Sequence, residues 1–330
     1  MTRFDVEKHS KSKTDVKDKK ILYLLSCDSR ESLGKIGKKI LLSQDSVSYR
    51  IKDMKKSGII QGFIPRINYE MLGFQKINAF FQIINLGKKN EHEFVKFLKS
   101  QKNIINIIQY ADKFDFEVNF LVKSVHEFDE TLNNITDKFH FIIGDIDVFH
   151  EVNTIHDVSL PENFAKIKPS RKRMPKKEDL KLDETDKRII NELLRDARES
   201  SVKIAKRLKT SPDTILYRIE KLQKNGIIDD FTTVVNFTSL DMSWYTLLFN
   251  LKSLSNVNYK KLKEYVRKHP NIVGCFKGIG AWNLKFYIVA QSRKEFHNTV
   301  SELRITFRDI IKDYDTLVGY KEHILPILKI

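Results

Sequence analysis

A chain of 330 residues is long for one small domain and fits two to four units, each able to bury its own core. At 41% hydrophobic residues it reads as globular, yet no apolar run approaches the roughly 18 to 20 residues that span a bilayer, and Met1 to Asp15 holds no apolar signal-peptide segment, so the expected compartment is the cytoplasm. Fifty-nine Lys and Arg against 43 Asp and Glu leave a net +16, a field that favours nucleic acid as partner, while Cys27 and Cys275 are too few for a disulfide framework or a metal knuckle.

In chain order, residues 1–14 are polar and are expected to form a disordered basic tail. From Asp18 the apolar positions Ile21, Leu22, Leu24 and Leu25 recur at helical spacing, and Leu33, Ile36 and Ile40 mark a second short helix. Ser43 is placed to cap a third helix, with Val47, Ile51 and Met54 on one buried face and Gly58 at its end. A strand over 59–64 completes a winged helix-turn-helix across 15–66. The third helix of such a unit lies in the major groove of duplex DNA. Gln44, Ser48 and Tyr49 are therefore expected at base edges, and Ser46, Arg50 and Lys52 on phosphates.

Residues 67–160 read as strand 78–85, helix 91–101, strands 104–110 and 114–122, helix 125–138 and strand 142–155. That order, βαββαβ, is ferredoxin-like. Residues 161–181 have no periodicity and form a basic linker, in which Arg171, Lys172 and Arg173 are expected to lie along phosphates and add sequence-independent affinity.

The same design then returns at a fixed offset of 168. Arg30-Glu31-Ser32 recurs as Arg198-Glu199-Ser200, Tyr49-Arg50-Ile51 as Tyr217-Arg218-Ile219, and Gly58-Ile59-Ile60 as Gly226-Ile227-Ile228. A second winged helix-turn-helix is thus expected at 182–234, with Ser211 capping and Pro212 opening its third helix, and a second ferredoxin-like domain at 235–330. Thr214, Tyr217 and Arg218 are its DNA candidates. Leu216 stands where copy one has Ser48, and Asp183 to Thr232 carries about +1 where Asp15 to Ile64 carries about +5, which makes copy two the weaker reader. The fold class is α+β, a tandem repeat of winged helix-turn-helix followed by a ferredoxin-like domain. The open sheet faces are expected to pair within one chain.

The stretches Asp183-x-x-Asp186-x-x-Ile189, Arg198-Glu199-Ser200, Ser211, Tyr217-Arg218-Ile219 and Asn225-Gly226-Ile227-Ile228, with Asp15, Asp18, Arg30, Ser43, Arg50 and Gly58 in copy one, resemble the Lrp/AsnC family of prokaryotic transcription regulators. Each copy is similar to one whole family member. The resemblance implies DNA binding, assembly through the ferredoxin-like domains and an amino-acid-like effector. The family's effector turn resembles Gly-Asp-Tyr-Asp; copy one has Asp112-Lys113-Phe114-Asp115 and copy two Gly280-Ala281-Trp282-Asn283, so Asp112, Asp115, Gly280 and Asn283 are the effector candidates, each copy lacking part of the pattern.

Two other readings stay open: a protein-interaction scaffold with degenerate winged helices, and an enzyme similar to the siroheme decarboxylases, which resemble the same unit. His140, His150 and His156 have Arg308, Val318 and Ile324 as counterparts and no Cys or paired carboxylate at zinc-like spacing. No metal, no cofactor and no catalytic residue is expected.

Overall fold

The computed structural model describes residues 1–8, 13–84, 87–162, 164–167 and 182–325. Arg171, Lys172 and Arg173 of the linker lie outside them. The elements of the first copy are α1 (Val16–Cys27), α2 (Leu33–Ile40), α3 (Gln44–Lys56), β1 (Ile60–Ile67), β2 (Gln75–Ile83), α4 (Lys88–Ser100), β3 (Ile104–Tyr110), β4 (Phe116–Val122), α5 (Val125–Phe139) and β5 (Ile143–Asp157). The second copy repeats them as α6 (Glu184–Arg195), α7 (Ser201–Leu208), α8 (Pro212–Lys224), β6 (Ile228–Val235), β7 (Ser243–Leu251), α9 (Asn256–Lys268), β8 (Ile272–Gly280), β9 (Leu284–Ala290), α10 (Arg293–Thr306) and β10 (Ile311–Ile324). The expected α+β tandem is the fold. No helix among the described residues is long and apolar enough to cross a membrane.

Local chemistry explains the helix boundaries. Asp15 and Asp183 each head a reciprocal capping box with the carboxylate three residues on, at Asp18 and Asp186. Ser32, Ser43, Ser200 and Ser211 cap α2, α3, α7 and α8 by accepting a backbone N–H three residues ahead. The turn inside each helix-turn-helix is made by a left-handed residue, Leu41 at φ 56° and Lys209 at φ 54°.

The chain divides into two compact units that cut across the repeat. One gathers both winged helices, Lys13–Gly73 and Ala165–Val235; the other gathers Phe74–Phe164 and Asn236–Leu325 with the N-terminal residues. In the first, β1 and β6 form an antiparallel ribbon. In the second, eight strands close a barrel in the order β10-β3-β4-β2-β5-β8-β9-β7. Each half-sheet has one face under its own helices: Phe81, Phe116, Val118 and Phe120 meet Phe94, Phe128 and Ile135 in copy one, and Leu247, Phe249 and Phe286 meet Leu262, Val266 and Leu303 in copy two. The alternate residues point into the barrel, so β4 and β9 are buried on both faces.

Two expectations are corrected here. Residues 1–8 are not a disordered tail: Phe4 is 1% exposed and stacks on Trp244 at 5.2 Å, and Arg3 pairs with the buried Glu322. The segment runs beside β10, with Glu322 N donating to Phe4 O at 3.1 Å and Ile324 N to Met1 O at 3.0 Å. Gly319 leaves the room, since a Cβ there would sit 2.8 Å from the Phe4 ring. Strand ends also move. β8 continues past Lys277 to Gly280 because its partner β5 keeps hydrogen-bonding it there, with Phe149 opposite Gly280.

Replacing Phe4 with Ala should therefore cost about 3 to 5 kcal/mol, the range for deleting a buried aromatic side chain, read from chemical denaturation of the full chain. A cost near that of an exposed residue, about 0.5 kcal/mol or less, would mean that the segment does not belong to the core.

Candidate nucleic-acid interface

On α3 the residues Val47, Ile51 and Met54 face the core, which turns Gln44, Asp45, Tyr49 and Lys52 outward. Tyr49 is 73% exposed, an unusual place for so large a ring. Ser48 is half-buried beside it, and the Ser46 hydroxyl accepts from Ser43 Oγ at 2.8 Å within the cap. Asp45 and Asp53 stand one turn before and after Tyr49, and with Asp18, Ser46 and Arg50 they line an open hollow. In copy two Tyr217 is 67% exposed, Thr214 sits in the cap with Ser211 at 2.8 Å, and Lys221 replaces Asp53.

Arg50 and Arg218 require a correction. Arg50 Nη1 donates to Asp15 at 2.8 Å and to Asp18 at 2.7 Å; Arg218 Nη1 donates to Asp183 at 2.7 Å and to Asp186 at 2.8 Å. Each guanidinium closes over both carboxylates of a capping box and so staples the recognition helix to the first helix of its unit. The Nη1 atom of each is thus engaged within the protein. The Arg218 hydrogen bond, with those from the Asp186 and Thr185 amides, holds the Asp183 carboxyl below its usual range, and the carboxylates in turn hold Arg218 above its own. Lys52, exposed on the outer face, is the better placed cation.

The repeated Arg-Glu-Ser, in the sequence a marker of the two copies, has a structural task in the fold. Arg30 Nη1 reaches across to copy two and donates to Ala197 O at 2.6 Å and Glu199 O at 3.1 Å. Arg198 Nη1 returns the contact to Ser29 O and, at 3.5 Å, to Glu31 O. Each guanidinium also lies 5.4 Å from a ring of the wing ribbon, Arg30 over Phe231 and Arg198 over Phe63. Ser29 N donates to Phe231 O at 2.8 Å and Ala197 N to Phe63 O at 2.9 Å, so the two helix-turn-helices are clasped by equivalent bonds on both sides of the ribbon. A pair of identical arginines in unlike copies was the available signal.

The effector candidates do not converge. Asp115 Oδ2 accepts from Ile83 N and Asn283 Oδ1 from Leu251 N, both at 2.6 Å, so carboxylate and amide perform one structural task at equivalent strand ends. Burial pushes the Asp115 carboxyl up. Asp112 accepts from Val318 N of β10, and Gly280, at φ 130°, would bring a Cβ to within 2.0 Å of Val148 O in β5. The two turns are thus joined to the last strand of the opposite copy rather than arranged around a common hollow. Among the described residues no group of three or more His, Cys, Asp or Glu is placed to hold a metal ion. His140 caps α5 with Nδ1 2.9 Å from Asp137 O, while His150 and His156 lie along β5.

Residues 182–223 match the AsnC-type helix-turn-helix domain, and residues 14–61 match a winged helix-turn-helix DNA-binding domain. The transcriptional regulator AzlB of Bacillus subtilis (strain 168) is 32% identical over 120 residues, covering 36% of this chain and 76% of AzlB. The HTH-type transcriptional regulator LrpC of the same organism is 30% identical over 144 residues, covering 42% of this chain and 99% of LrpC. Among solved structures, the siroheme decarboxylase NirDL superposes with a TM-score of 0.60 at 14% identity over 93% of this chain and 92% of its own, a likeness of fold.

The Arg218 staple carries a pH signature. A carboxyl whose folded pKa is depressed contributes stability above its unfolded pKa, about 4, and loses it as pH falls through the lower folded value. Thermal melts of the native chain and of Arg218→Met should differ at pH 7 and converge below about pH 4. A difference that stays constant down to pH 2.5 would show that the carboxylates contribute nothing through Arg218.

Proposed function

The chain belongs to the Lrp/AsnC family of transcription regulators, and on that premise we propose that it binds duplex DNA selectively, as a covalent pseudo-dimer whose two copies supply the two reading heads. The observation that carries this reading is the Arg30 and Arg198 clasp, which ties the turn before α2 to the turn before α7 beside one wing ribbon, and so joins the two helix-turn-helices. Two recognition helices fixed to one another suit a target with two half-sites. Gln44, Ser48 and Tyr49 read base edges, Ser46 and Lys52 hold phosphate, and Arg50 positions α3 rather than touching DNA. Thr214 and Tyr217 do the lesser work in copy two, where Leu216 is half exposed at a reading position, and Arg218 positions α8.

Asp45 and Asp53 sharpen the expectation for copy one. Carboxylates beside Tyr49 repel phosphate and accept from cytosine N4, which favours a helix that reads bases over one that merely clings to backbone. An amino-acid-like effector at Asp112, Asp115, Gly280 or Asn283 is not part of this reading, since Asp115 and Asn283 hold strand-end amides of their own half-sheets and Asp112 and Gly280 pack against the opposite copy. The reading is of a binding protein, not an enzyme; the likeness to NirDL is one of fold at 14% identity.

The test is fluorescence anisotropy on a duplex that the chain itself selects from a random pool, with an unrelated duplex beside it. Tyr49→Ala should weaken the selected duplex by about 1 to 3 kcal/mol and the unrelated one little, whereas Lys52→Ala should weaken both alike and lower the salt slope by about 1. Equal losses on both duplexes for Tyr49→Ala would show that Tyr49 does not read sequence, and an absence of DNA affinity at low salt would point to the scaffold reading.

A further inference from the structure

Inside the barrel lies an ion pair with no access to water. Lys285 Nζ is 2.5 Å from Glu117 Oε1, with side chains 2% and 0% exposed. Lys285 also donates to Asn78 Oδ1 at 3.1 Å, and its ammonium lies 5.4 to 5.5 Å from the rings of Phe276 and Phe149. Glu117 is satisfied from both copies: Tyr287 donates to Oε1 at 2.7 Å and Tyr110 to Oε2 at 2.6 Å, while Tyr110 also meets Thr246 at 2.6 Å. Burial, then the Glu117 charge, push both phenols well above their usual range, so both stay protonated donors.

Glu117 and Lys285 stand 168 residues apart, the offset of the repeat. They are counterparts, and a residue that touches its own counterpart lies on the axis relating the copies. Asn119 and Tyr287, also 168 apart, are hydrogen-bonded to each other there. The outer registers agree with that axis, since Asn153 faces Lys277 on one side and their counterparts Lys321 and Gln109 face each other on the other.

We propose that this axial pair makes the two halves obligate unlike partners, so that each half-sheet accepts the other copy and rejects its own kind. In a pairing of like halves, Glu117 would meet a second Glu117, or Lys285 a second Lys285, within a dry interior. Two like charges a few ångströms apart without water cannot both remain ionised, and one left unpaired costs far more than an exposed charge. Against apolar side chains a buried pair adds little to stability, but against like pairing it discriminates strongly, the role for which buried polar groups are best attested. The two copies have thus diverged from interchangeable to complementary, and chains are directed away from exchanging halves. This deepens the pairing part of the proposed function and is independent of its DNA part.

The test uses the full chain in two measurements. In a charge-reversal cycle, E117K and K285E should each lower Tm by roughly 10 °C, and E117K/K285E should recover at least half of that loss. E117Q, K285M and their double variant form a gentler cycle in which the same non-additivity is expected if a reversal prevents folding. Losses that simply add in both cycles would overturn the proposal. In the second measurement, N153C/K277C should close a disulfide within one chain, and Q109C/N153C, whose positions meet only if like halves pair, should close none. A Q109C/N153C bridge between chains would overturn the discrimination, and an N153C/K277C bridge found only between chains would remove the intrachain pairing itself.

Discussion

A four-stranded half-sheet with helices on one face leaves two edges and an uncovered face in water, and in this chain each half-sheet is closed by the other through β5 on β8 and β10 on β3. Much else follows from that closure. The turns after β3 and β8 are pressed against the opposite copy, which is why Gly280 cannot carry a side chain and why Asp112 meets Val318. The interior must be filled from both halves, and it is filled with rings around one ion pair. The N-terminal residues finish one end, with Phe4 on Trp244 and Arg3 on Glu322. The same rule holds in the other unit, where the wing strands pair with each other and the arginine clasp repeats on both sides.

Charge in this protein is therefore of two kinds. The net +16 acts at a distance and draws polyanions, but several arginines are engaged inside the protein. Arg50 and Arg218 hold recognition helices, and Arg30 and Arg198 hold one copy to the other. What remains on the outer face of α3 is lysine at the edge and a tyrosine between two aspartates, an arrangement suited to position by backbone and select by base.

The sequence showed most of the architecture because its signals were local or periodic. Ser43 and Ser211, the spacing of Val47, Ile51 and Met54, and the 168-residue offset each have a direct physical meaning, and the helices and the chain order of the strands followed from them, while the family rested on the resemblance of its motifs. What it concealed depends on partners distant in the chain. Phe4 is one aromatic in a polar stretch, and nothing near it announces Trp244 as its contact. Arg50 on an outward turn reads as a phosphate donor until Asp15 and Asp18 are seen beneath it. Asp115 and Asn283 resemble remnants of a ligand site, yet each accepts a strand-end amide that no motif predicts. Glu117 and Lys285 were already related by the offset; only the closed barrel makes that relation a contact.

Whether the clasped heads select sequence is decided by equilibrium binding of the unmodified full chain to the duplex upstream of its own gene and to an unrelated duplex of equal length, across a salt series. As salt rises, binding to the unrelated duplex should fade first while the upstream duplex is retained. Equal affinities that fall together at every salt concentration would contradict such selection and leave only the attraction of a basic protein for a polyanion.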